Sequence, residues 1–101
     1  MSSRIPPGDL IAGLGHLDKL RRRAIRVDHL PPRDAAALHA MLDAIRQHMT
    51  VSMFVGPLLE GAMDRMDRAV DAGDLGAIQK ADLRTIVVFL TTVPSTQRGA
   101  A

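Results

Sequence analysis

Leu75-Gly76-Ala77-Ile78-Gln79-Lys80-Ala81-Asp82-Leu83-Arg84-Thr85-Ile86-Val87-Val88-Phe89-Leu90, residues 75–90, is the stretch on which the fold class turns. Its last part, Ile86-Val87-Val88-Phe89, is rich in β-branched residues and read alone suits a strand. The residues upstream argue for a helix. Leu75, Ile78, Leu83, Ile86, Leu90 and Val93 follow the helical period, and Ala77 and Ala81 keep the same phase. The spacing predicts a helix from Leu75 to about Val93, stopped by Pro94.

Three further segments read the same way. Leu10, Leu14, Leu17, Leu20 and Ala24 stack on one face of a helix expected over Asp9 to Val27. Pro31 and Pro32 enforce a break. A second helix is then expected from Arg33 to Val55, with the stripe Leu38, Leu42, Ile45, Met49 and Met53. Gly56-Pro57 marks another break. The third helix, Pro57 to Ala72, sets Leu59, Met63, Met66 and Val70 against an acidic face of Glu60, Asp64, Asp67 and Asp71. Gly73 should end it and Asp74 should cap the next. Ile5-Pro6-Pro7-Gly8-Asp9 and Leu30-Pro31-Pro32-Arg33-Asp34 match at an offset of 25. Duplication explains that match, and so does independent use of a good helix opening; the second reading is preferred.

Four amphipathic segments joined by short turns imply an all-α fold, a small antiparallel bundle of about four helices. Two helical hairpins completed by dimerisation are the alternative. Residues 1–94 are expected to form one helical domain and 95–101 a flexible C-terminal tail. The chain of 101 residues is 47% hydrophobic with two Phe and no Trp or Tyr, so its core must be aliphatic. Six Met suit adaptable packing surfaces.

The absence of Cys removes disulfides and thiolate chemistry and suits a reducing compartment. The first residues carry no apolar run behind their charge, and Ile86 to Leu90 is too short to span a bilayer. A cytoplasmic location away from membranes is therefore expected. The frequent Ala, Arg, Gly and Asp resemble the coding bias of GC-rich bacteria or their phages. That bias discounts the Arg excess as a sign of nucleic-acid binding.

Two charged groups invite a function. Lys19, Arg21, Arg22, Arg23 and Arg26 crowd the end of the first helix, where cations complement the helix dipole. As a phosphate-contacting patch this cluster would give salt-sensitive affinity for nucleic acid. The only aromatics, Phe54 and Phe89, lie far along the chain, so base stacking is poorly served. The acidic stripe could hold a cation, but four carboxylates along one helix, with Arg65 and Arg68 beside them, read as a solvated face. An alternative reading has the stripe meet the basic end of the first helix, within the fold or across a dimer. Val51, Phe54 and Val55 fall off the second helix's stripe, and Val87 and Val88 add further apolar surface, which points to an oligomer contact.

His16, His29, His39 and His48 include no i,i+4 pair such as a helical zinc site needs. No nucleophile elbow and no phosphate-cradling Gly-rich loop is present. The expectation is a non-enzyme without metal or cofactor. Leu83-x-Thr85-Ile86, then Leu90, then Val93-Pro94 is similar to the C-terminal pattern of TraM-type quorum-sensing antiactivators. Asp43-Ala44-Ile45-Arg46-x-His48 resembles part of their first long helix. These stretches cover under a fifth of the chain. The resemblance implies an all-helical dimer that sequesters a transcription factor, and it carries over no functional residue.

The leading expectation is a homo-oligomeric helical interaction protein, a regulator, adaptor or assembly factor. Its candidate partner-binding residues are Arg22, Arg23, Arg26, Val51, Phe54, Val55, Glu60, Asp64, Asp67 and Asp71. A nucleic-acid-binding accessory protein comes second, and a small subunit of a larger enzyme or phage assembly third.

Overall fold

A computed structural model describes residues 5–52 and 55–92. Among these residues four helices follow one another: α1 (Pro7–Arg22), α2 (Pro32–Val51), α3 (Pro57–Asp71) and α4 (Lys80–Thr92). Short 3-10 turns, Val27–His29 and Leu75–Ala77, precede α2 and α4. The fold is an all-α bundle, and its only β pairing among the described residues is an isolated bridge between Arg26 and Asp74.

Each of the first three helices opens on proline at its first position, where the missing N–H costs nothing. The Pro6 carbonyl accepts from the N–H groups of Asp9 and Leu10 at 3.0 and 3.2 Å. The Pro31 carbonyl accepts from those of Asp34 and Ala35 at 2.9 and 3.0 Å. The match at offset 25 is thus one helix-opening device used twice. The larger repetition is structural, because α1, turn and α2 are followed by α3, turn and α4 in the same order.

The two halves also stop their first helices alike. After α1, the N–H groups of Ala24 and Ile25 donate to Arg21 and Leu20 carbonyls at 3.0 and 3.1 Å. After α3, those of Gly73 and Asp74 donate to Val70 and Ala69 carbonyls, both at 2.9 Å. Both are Schellman motifs, which need a left-handed residue just past the cap. Gly73 supplies it at φ 79°, and Ala24 at φ 53°. The turns then join: Val27 N–H donates to Gly73 O at 2.9 Å and Leu75 N–H to Ile25 O at 3.2 Å.

These stops correct three boundaries. α1 ends at Arg22 rather than Val27, because Ala24 leaves the helical region. α2 is helical to Val51 rather than Val55. Leu75 to Ala77 form a 3-10 turn rather than the start of α4, and Asp74 makes no side-chain cap there. The β-prone residues 86–89 are helical.

The stripes meet in one core. Leu10, Leu14 and Leu17 of α1 pack with Leu42, Ile45, Met63, Met66, Leu75, Ile86 and Leu90. α4 lies against both α3 and α1, and α1 lies in turn against α2 and the second turn. Burial of these side chains drives the fold, at about 1.5–3 kcal/mol each.

Candidate interaction surface

Among the described residues no ion pair joins the acidic stripe to the basic end of α1; Asp64 and Asp67 pair with α2 instead. Arg46 donates to Asp64 Oδ1 at 2.8 Å and to Asp67 Oδ2 from Nε at 2.8 Å, with a second donation to Asp67 from its terminal nitrogen. The Asp64 carboxylate first, then Asp67, holds the Arg46 guanidinium protonated more firmly than usual. Glu60 and Asp71 stay exposed, and neither forms an ion pair among the described residues. The α2 row carrying Arg46 faces α3, a pairing that sequence spacing within one helix does not reveal.

The basic cluster is partly neutralised by its own surroundings. Asp18 takes Arg22 at 2.7 Å and Arg21 at 2.8 Å. The Arg21 hydrogen bond, joined by the charge of both arginines, holds the Asp18 carboxyl below its ordinary range. Arg26 pairs with Asp28 at 3.3 Å and reaches the Ala72 carbonyl at 3.4 Å, lying over Gly73. Arg23 is exposed, with no ion pair among the described residues. Arg22 and Arg26 thus each have a carboxylate partner, while both side chains stay half or more exposed.

A half-buried ion pair lies outside the sequence-predicted set. Asp82, 5% exposed, sits in the first turn of α4, where its charge suits the helix dipole. Arg65 of α3 grips both its oxygens at 2.9 Å. The fork geometry makes this a strong, directional link between α3 and α4. Asp82 in turn holds Arg65 in its charged form.

Apolar exposure concentrates around the α2–α3 connection. Val51 is 69% exposed and Leu58 72%. Val55 is half-buried against the core, and Phe54 lies outside the described residues. On α4, Val88 is 53% exposed while Val87 packs partly onto the core. Leu58 was missed because it sits beside Leu59, which is the residue in phase with the core stripe.

Two apolar hollows flank α2 on its α1 side. The first, about 210 Å³, runs between α1 and α2 over Leu10, Leu17, Leu38 and Met41, with Asp9, His16 and Asp34 at its edges. Gly13 forms part of its wall, and a Cβ there would come within 2.6 Å of Met41 Sδ. The second, about 230 Å³, continues past Ile5 along Ala44, Gln47, His48 and Val51. His48 Nε2 lies 3.3 Å from the Ile5 carbonyl oxygen.

No group of three or more His, Asp or Glu side chains is placed to hold a metal among the described residues. His39 and Asp43 are both exposed and share no hydrogen bond. Among the described residues, no helix is long and apolar enough to cross a membrane. No protein-family model, curated protein or solved structure matches the chain.

Proposed function

We propose that this chain is a non-enzymatic helical protein–protein interaction module, a regulator, adaptor or assembly factor that works as a homo-oligomer in the cytoplasm. The observation that carries the reading is the apolar surface beside the α2–α3 connection. Val51 and Leu58 stand about seven-tenths in water, and Val51 borders a hollow walled by Ile5 and Ala44. Covering such side chains releases about 1.5–3 kcal/mol each, which favours association through this end. Val55, and Phe54 from the sequence, extend the same segment.

The second reading, nucleic-acid binding through the basic end of α1, has weaker support. Arg22 and Arg26 already have carboxylate partners. One experiment separates the two. Light scattering of the wild type should give a dimer or larger mass. Val51→Asp with Leu58→Asp should give a monomer of unchanged helix content. Labelled duplex DNA should show no salt-sensitive binding at physiological ionic strength. A wild-type monomer that binds the duplex steeply with falling salt replaces this proposal with the second reading.

A further inference from the structure

We propose that the groove between α1 and α2 docks an amphipathic α-helix of a protein partner, apolar along one face and basic at both ends of that face. This rests on the reading of the chain as an interaction module, but not on its self-association.

The groove is built by two antiparallel helices. Gly13 lies against Met41, and His48 lies beside Ile5, so the start of α1 faces the end of α2. The absence of a side chain at Gly13 lets Met41 approach and forms the apolar floor. A trough between two packed helices is the shape that a third helix fills. At about 210 Å³ the hollow is smaller than typical small-molecule pockets of roughly 300–1,000 Å³, and so suits side chains projecting from a helix. α2 offers the matching edge. Asp34, Ala37 and Met41 stand at steps of three and four, which is the seam spacing of helix pairing.

Charge selects the occupant. Among the described residues, no Lys or Arg lines this groove. Its charged edges are Asp9 at one end and Asp34, beside Leu20 and Leu30, at the other. Both carboxylates are exposed and without an ion pair among the described residues. Along α1 the groove runs from Asp9 to Leu20, about 16 Å at 1.5 Å per residue. Two cations about eleven residues apart on one helix face span that length and stay in phase. Complementary charges at the rim would orient the docked helix and raise its rate of encounter.

The test uses two blocked, fluorescently labelled synthetic helices of about twenty residues, rich in alanine outside the contact face and beyond the length at which isolated helices are marginal. Both carry leucines on one face. One ends that face in arginines, about eleven positions apart, and the other in glutamates. Fluorescence anisotropy should show the arginine helix binding at least tenfold more tightly. Asp9→Lys with Asp34→Lys, both at exposed helical sites, should reverse that order while circular dichroism stays unchanged. Ala37→Glu should abolish binding of the arginine helix. A wild-type monomer that still binds this helix keeps the groove and removes only the self-association. Equal affinity for the two helices, or binding of neither, overturns the proposal. So does a wild-type dimer that dissociates on Ala37→Glu, since the groove would then belong to a second copy of the chain.

Discussion

Replacing Ala24 with Gly should stabilise the protein, whereas replacing Gly73 with Ala should destabilise it. Both residues hold the left-handed position that ends a helix, Ala24 at φ 53° and Gly73 at φ 79°. That region costs a residue with a Cβ about 1–2 kcal/mol relative to glycine. Glycine in turn adds freedom to the unfolded chain, worth about 0.4–1 kcal/mol against the folded state. For Ala24→Gly the strain relief exceeds the entropy loss by about 0.5–1 kcal/mol. The substitution also removes the Ala24 Cβ, which would lie 3.1 Å from any Cβ added at Gly76 across the paired turns. Gly73→Ala reverses the terms, and its new Cβ meets an Arg26 guanidinium nitrogen at 3.2 Å. Arg26 is flexible and can yield, so the net loss is about 1 kcal/mol. At roughly 4–8 °C per kcal/mol for a domain of this size, Ala24→Gly should raise Tm by about 2–8 °C. Gly73→Ala should lower it by about 4–8 °C. Thermal unfolding followed by circular dichroism at 222 nm reads both. A fall in Tm for Ala24→Gly would refute the paired-motif reasoning.

Leu14→Ala empties a site 1% exposed between the stripes and should cost about 2–5 kcal/mol, read by urea unfolding. Asp18 carries a carboxyl pKa below its unfolded value, so its ion pairs stabilise the fold above about pH 4 and are lost as the pH falls through the folded value. The Tm gap between wild type and Asp18→Asn should therefore be open at neutral pH and close in acid; a gap independent of pH contradicts it. Arg46→Gln should lower stability by less than about 1 kcal/mol in the same urea assay, because its side chain is 43% exposed and both of its pairs are screened by water.

The helices were legible because their core residues obey one period. Leu10, Leu14, Leu17, Leu42, Ile45, Met63, Met66, Ile86 and Leu90 were all placed on core stripes by spacing, and all are buried. The same regularity hid the second turn. Residues three apart nearly eclipse in a 3-10 turn, so Leu75 and Ile78 are both buried as if they continued α4. Ala24 gave no stop signal, since a left-handed position is normally announced by Gly or Asn. The charged site was legible only within helices. Asp18 with Arg21 and Arg22 lies at local spacing, but Arg46 with Asp64 and Arg65 with Asp82 are separated by 18 and 17 positions. The use of Gly13 appears only once Met41 is packed against it.

Association is expected through the α2–α3 end of the bundle, and a spin label can locate that contact. The chain has no Cys, so Thr50→Cys at an exposed position gives a single attachment site beside Val51. Unlabelled chains carrying a nitroxide there are mixed with isotope-labelled chains that carry none. The prediction is selective broadening, between chains, of the Val51, Val55 and Leu58 amide signals, with the outer face of α4 around Arg84 unaffected. Equal, faint broadening over the whole surface, or none at high protein concentration, would contradict it.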